Sequence, residues 1–153
     1  MLLNKVYNRD VVTVAPETTV EAAARCMAER HIGALVVVED RTPVGIVTDR
    51  DLVVRALARG CPPAQTAVRE VMTAKPMCVS ERTTLASALE QMRFYRIRRL
   101  VVTNDAHEVI GIVSLDDMAA LVDAQQRALH TVTEVLHAGH QEALEGLPVS
   151  ERS

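Results

Sequence analysis

The sequence predicts an α/β fold of the mixed (α+β) kind: two pseudo-symmetric β-α-β-β-α repeats forming one pair, followed by an extended C-terminal helix. Three observations carry that reading. A shift of 65 residues lays Val14, Thr18, Thr19, Ala23, Met27, Ile32, Leu35, Val36, Val37 and Asp40 on identical residues, from Val79 to Asp105. The stretch GIVTDRD at Gly45–Asp51 returns, one residue further out of step, as GIVSLDD at Gly111–Asp117. Each half also passes from a helical apolar period to two β-branched runs. With only two units, the expected product is a closed pair that shares a buried face rather than a solenoid.

The elements follow in order. Short apolar pieces, Val11–Val14 and Met77–Val79, open the halves. A capping box, Thr18-x-x-Glu21, starts the first helix, and a buried stripe follows at Val20, Ala23, Ala24 and Met27, or at Leu85, Ala88, Leu89 and Met92 in the second copy. Ala34–Val38 with Val44–Val47, and Leu100–Thr103 with Val109–Val113, are nearly continuous apolar runs, which predicts strands buried on both faces. A second helix carries Leu52, Val53, Ala56 and Leu57, or Met118, Leu121 and Val122. Gly60 ends the first of these, and Pro62 and Pro63 prevent its continuation. The last helix runs on, with Met118, Val122, Gln125, Leu129, Val132 and Leu136 in alternating steps of four and three toward Ala143. That is a short heptad seam, read either as a subunit contact or as extra turns packed back on their own domain. The predicted organisation is residues 1–60 for repeat one, 61–68 for a linker, 69–123 for repeat two, 124–146 for the helical extension and 147–153 for a flexible tail.

Composition narrows the function classes. Hydrophobic residues make up 48% and charged residues 24%, as in soluble globular proteins. With no Trp, one Phe and two Tyr the core is aliphatic, and stacking of bases on aromatic platforms is not expected. A net charge of -3 gives no electrostatic reason for nucleic-acid binding, although Arg96–Arg99 reads RIRR. Cys26, Cys61 and Cys78 are too scattered for a disulfide framework or a zinc site; Cys61 is expected to be the most exposed of them. His130, His137 and His140 are read as exposed helix residues, so no metal is expected. The start MLLNKVYNRD lacks the character of a signal peptide and no run reaches membrane-spanning length, so a cytoplasmic protein without a membrane partner is expected.

A hydroxyl followed three residues later by an aspartate, at a strand-to-helix junction, supports two readings. It caps the helix, or its carboxylate accepts both hydroxyls of a ribose while the hydroxyl and the free amides of the helix face a phosphate. Repetition does not separate them, since a cap is duplicated with everything else.

The residues GIVTDRDL and GIVSLDDM, together with HIGALVVVED and VGIVTDRDLVVRALARG, resemble the CBS family, named for cystathionine β-synthase and built of tandem domain pairs; the resemblance covers about residues 5 to 123. It implies a non-catalytic regulatory ligand sensor that binds an adenosine-containing ligand of the AMP, ADP or ATP class between the repeats. It also implies a homodimer, with a further protein as effector. Carried over residue by residue, the resemblance implies a first site of Val12, Thr13, Val14, Ile46, Val47, Thr48, Arg50 and Asp51. The second is Met77, Cys78, Val79, Ile112, Val113, Ser114 and Asp117, with Arg98 and Arg99 on the phosphate side. Arg50 offers a planar fork of donors and is replaced by Asp116 in the second copy, so the first site is expected to be the better phosphate site. The alternatives are a structural dimerisation module with vestigial sites and, on weaker grounds, a phosphoryl-transfer enzyme holding a metal on Asp49 and Asp51; no phosphate loop or His-Glu metal motif accompanies that pair.

Overall fold

Every α-helix opens with backbone N–H groups that lack intrahelical partners, and the way helix α1 (Val20–Arg30) satisfies them organises the first half. Val20 N donates to Thr66 O at 2.8 Å, Glu21 N to Pro63 O at 3.1 Å and Ala22 N to Thr19 Oγ1 at 3.1 Å. The expected linker is thus hydrogen-bonded across the start of α1. The cap is Thr19 rather than Thr18, because Thr18 is committed elsewhere: its N–H donates to Ala15 O and its carbonyl accepts Val68 N. Val20, Ala23 and Met27 are buried as expected, whereas Ala24 is exposed and half-buried Cys26 flanks the seam on the other side.

The computed structural model describes residues 1–145, with side chains through residue 137, so the expected tail at 147–153 lies outside the described residues. The chain divides into two units, Met1–Leu115 and Asp116–Ser153.

In the first unit, β1 (Thr13–Val14) runs parallel to β2 (Ala34–Glu39), which pairs antiparallel with β3 (Thr42–Thr48). A short strand absent from the sequence reading, β4 (Thr73–Ala74), completes this sheet against β3. The second sheet repeats the pattern with β5 (Cys78–Ser80), β6 (Arg99–Thr103) and β7 (Val109–Ser114). Its helix α3 (Leu85–Tyr95) is capped by Thr84 as α1 is by Thr19. Even the bulges correspond, between Val37 and Val38 and between Val102 and Thr103. Leu35, Val36, Val37 and Val47 are fully buried, as are Leu100, Val102 and Val113.

The halves exchange their straps. Residues that precede the second repeat in sequence pack on the first: Val68 N donates to Thr18 O, and Thr73 pairs with Ile46. The N-terminal residues pack on the second: Leu3 N donates to Thr83 O at 2.9 Å, Leu85 N to Met1 O at 2.8 Å, and Asn8 pairs with Ile112. The shift of 65 residues that relates the repeats also carries Asn8 onto Thr73.

Helix α2 begins as one capped turn, Asp49–Asp51, widens into a π-helical turn over Leu52–Ala56 and tightens to a 3-10 turn at Leu57–Arg59, ended by Gly60 at φ 70°. Leu52 and Ala56 are buried, but Val53 and Leu57, expected on the buried face, are exposed because the wider turn rotates them outward.

In the second unit, α4 (Leu115–Glu145) continues as one helix. Beyond buried Met118, the expected seam residues Val122, Leu129, Val132 and Leu136 are exposed. Among the described residues, no helix is long and apolar enough to cross a membrane.

Candidate ligand-binding site

Two neighbouring strand ends, β3 of the first repeat and β6 of the second, wall a cavity of about 460 Å³ within the first unit. Ile46 and Thr48 come from β3, Thr73 from β4, and Lys75, Pro76 and Met77 from the segment leading into β5. Tyr95, Ile97, Arg98, Arg99 and Val101 complete it from the end of α3 and from β6.

The local geometry explains how these side chains reach one space. Helix α3 stops at Arg96, which sits in the left-handed region at φ 54°, and Ile97 N returns to Met92 O at 3.0 Å. The chain therefore turns sharply, and Arg98 and Arg99 enter β6 beside the cavity. Arg98 O accepts Leu115 N at 2.8 Å and Arg99 pairs with Ser114. On the other wall, Val101 N donates to Met77 O at 3.0 Å. Ile46, Met77, Ile97, Val101 and Pro76 make the surface apolar, and Thr48 and Thr73 add hydroxyls.

Its electrostatics are one-sided. Lys75, Arg98 and Arg99 line the cavity, and no carboxylate does. Among the described residues Lys75 and Arg99 make no side-chain ion pair, so their charge is not offset locally although the whole chain is acidic. An apolar slot of this size with a few convergent polar groups suits a small molecule carrying an anionic end.

The expected site residues divide over this geometry. Ile46 and Thr48 of the first set, Met77 of the second, and Arg98 with Arg99 share the cavity. Val12, Thr13, Val14, Val47, Arg50 and Asp51 do not line it, and neither do Cys78, Val79, Ile112, Val113 and Ser114. Val47, Val79 and Val113 point into the core. Arg50 is exposed. Asp117 stands in the first turn of α4. Missing from the sequence reading were Thr73, Lys75, Pro76, Tyr95, Ile97 and Val101; the RIRR cluster pointed toward this place, but nothing local marked Lys75 as its neighbour.

Asp51 is engaged as a cap. Its Oδ2 accepts Thr48 N at 2.9 Å while Thr48 Oγ1 accepts Asp51 N at 3.2 Å, and Arg55 Nε lies 3.6 Å from Oδ1. Arg55 also donates to Val71 O and Met72 O, which ties α2 to the strap beneath it. Asp49, the other half of the metal pair considered above, accepts Arg50 N at 2.8 Å. Among the described residues no three His, Cys, Asp or Glu side chains are grouped to hold a metal. Of the cysteines Cys78, not Cys61, is the exposed one; Cys61 is drawn in by its position against the first core. Partial burial nevertheless pushes the Cys78 thiol above its usual value.

Comparison with known proteins identifies the repeated unit. The family model of the CBS domain matches residues 3–57 and 68–124. The chain is 35% identical over 127 residues to a CBS domain-containing protein of Bacillus subtilis, covering 83% of this chain and 89% of that one. A protein with CBS domains from Burkholderia ambifaria is 33% identical with a TM-score of 0.73, over 81% and 93% of the two chains. A CBS domain protein of Pyrobaculum aerophilum, complexed with AMP, is 25% identical with a TM-score of 0.70, over 76% and 89%. Other relatives are longer: the chain spans 60% of a Methanopyrus kandleri protein and 22% of the inosine-5'-monophosphate dehydrogenase of Korarchaeum cryptofilum.

Proposed function

Because the chain belongs to the CBS-domain family and carries two such domains in tandem, we propose that it is a non-catalytic regulatory module. Its ligand is an adenosine derivative of the AMP, ADP or ATP class, held in the cavity between β3 and β6. The observation that carries this reading is the joining of Lys75, Arg98 and Arg99 to an apolar slot of about 460 Å³. The adenosine end lies against Ile46, Met77 and Ile97, and the phosphate end faces the three cations. The AMP bound to the Pyrobaculum aerophilum relative supports the ligand class.

The first copy of the motif has a second, structural role that a specific observation favours: the reciprocal bonds of Thr48 and Asp51 are a helix cap. We assign that copy to capping, and the ligand to the cavity beside the second repeat. The response to ligand leaves through a homodimer contact and a protein effector. Binding alters either only if the ligand prefers one of two conformations.

Thermal unfolding of ligand-stripped protein against AMP, ADP, ATP and adenosine tests the proposal. A ligand that binds only the native state raises its stability by mass action. A shift that grows with nucleotide concentration, and is lost in Arg99→Glu, is the expected result; no shift with any adenosine compound sinks it.

A further inference from the structure

The two repeats build the same backbone frame twice and furnish it differently. Around the cavity the frame consists of Val101 N to Met77 O at 3.0 Å, Leu115 N to Arg98 O at 2.8 Å, and the pairing of Ile46 with Thr73. Around its pseudo-symmetric counterpart the same three connections recur. Val36 N donates to Val12 O at 3.2 Å, Asp49 N to Gly33 O at 3.0 Å, and Asn8 and Ile112 exchange bonds of 2.9 and 3.2 Å. The counterpart also lies wholly within the first unit.

The cations of the cavity are not repeated there. Under the shift of 65 residues, Lys75 corresponds to Asp10, Arg98 to Gly33 and Arg99 to Ala34. One cation is gained, Arg30 at the position of Tyr95. Arg9, nearby in sequence, is held over the Tyr7 ring and donates to Asn4 O. The place of the Arg98 side chain is closed as well as neutral, since a Cβ on Gly33 would lie 3.1 Å from Asp49 Oδ2. By this correspondence a phosphate there would find Arg30 offset by Asp10, with the Asp49 carboxylate against Gly33, where the cavity is lined by Lys75, Arg98 and Arg99.

We propose that the pair is a one-phosphate-ligand device: only the cavity frame accepts a phosphate-bearing nucleotide, and Asp10, Gly33 and Ala34 exclude one from the counterpart. This rests on the adenosine reading above and deepens it, fixing both the stoichiometry and the residues that set it. It also moves the phosphate preference away from the Arg50 side, where the sequence alone put it.

Calorimetric titration of the full chain with ATP, AMP and adenosine tests it, using the double variant Lys75→Glu/Arg99→Glu and the single variant Asp10→Ala, with circular dichroism to verify folding. The expected result is one equivalent of ATP per chain. The double variant should weaken ATP at least tenfold while changing adenosine less than twofold, and Asp10→Ala should leave the tight equivalent unchanged. Two equivalents of ATP in the unaltered chain would overturn the inference while leaving the adenosine reading intact; undiminished ATP affinity in the double variant would overturn both. Failure of every adenosine compound to bind would overturn both.

Discussion

Gly45 and Gly111 hold the same place in the two copies of the motif, yet what rests on them differs. A Cβ on Gly45 would lie 2.3 Å from the sulfur of Met72, carried by the strap between the repeats. A Cβ on Gly111 would lie 2.1 Å from the Tyr7 ring and 2.8 Å from the carbonyl oxygen of Asn8, both carried by the N-terminal strap. Each glycine thus permits the close approach of another segment. The comparison teaches that the repeats are closed by exchanged straps, and that a flexible thioether closes one while a ring and a backbone close the other.

The comparison breaks most visibly by adding a methyl group to each glycine. Overpacking of this kind costs about 1–3 kcal/mol, and more where the neighbour cannot move. Gly111→Ala is expected at or beyond about 3 kcal/mol, because neither the Tyr7 ring nor the Asn8 carbonyl can rotate out of the way. Gly45→Ala is expected near about 1 kcal/mol, since Met72 has three torsions with which to retreat. Urea unfolding of both variants measures the difference. Equal losses would mean that the straps are equally yielding and that the contrast is wrong.

Next in size is the anchoring of the first strap by Arg55, whose guanidinium reaches Val71 O at 3.3 Å, Met72 O at 3.2 Å and the Asp51 carboxylate. The shift between the later parts of the repeats puts Leu121 at its position in the second copy. Arg55→Ala is therefore expected to loosen the first strap alone, by about 1–2 kcal/mol for lost charge-assisted hydrogen bonds at a partly exposed site. Amide hydrogen exchange should quicken over residues 68–74 and not over residues 1–8. Faster exchange in both straps would show that they open together.

Asp51→Ala sharpens the same contrast at the motif. Removing the cap is expected to cost about 1 kcal/mol and to leave nucleotide affinity near that of the unaltered chain. A large loss of affinity with little loss of stability would instead restore Asp51 to the ribose, as the family resemblance implied.

Much of this architecture was legible in the sequence, and what escaped it escaped for physical reasons. The helices α1 and α3 and the paired strands follow from local period, because burial of one face dictates the spacing of apolar residues along it. The cap on α1 was misplaced by one residue because Thr18 and Thr19 are adjacent and only tertiary bonds, from Val68 and to Ala15, decide between them. Beyond such local ambiguity lay the strap exchange: residues 1–8 and 66–74 have no strong period of their own, and their positions depend on pairing with Ile112 and Ile46 far along the chain. The site shared that difficulty. Arg98 and Arg99 stood out as a cluster, but Lys75 joins them only through the strap. The geometry shows the first copy of the motif forming a helix cap, one of the two readings its residues allowed.

The smallest expected effect lies where the N-terminal strap meets the second repeat. Tyr7 is buried against Gly111, its hydroxyl lies 3.3 Å from Glu81 Oε2, and Arg9 covers its ring at 5.0 Å. Burial raises the phenol above its ordinary value of 10.0; Arg9 opposes that shift, and the charge and hydrogen bond of Glu81 reinforce it. A raised acid pKa means that folding favours the neutral phenol. Its contribution is therefore fully present below about pH 10 and is lost as the pH climbs through the higher value of the folded state. Met72, the counterpart of Tyr7 in the first strap, has no such group, so the pH dependence belongs to one strap only. Between pH 9 and 11 the unfolding midpoint of the unaltered protein should fall more steeply than that of Tyr7→Phe, even though the variant begins lower for want of the Glu81 hydrogen bond. Parallel curves would mean that the tyrosine ionises alike in the folded and unfolded chains, and that the second strap closes on shape alone.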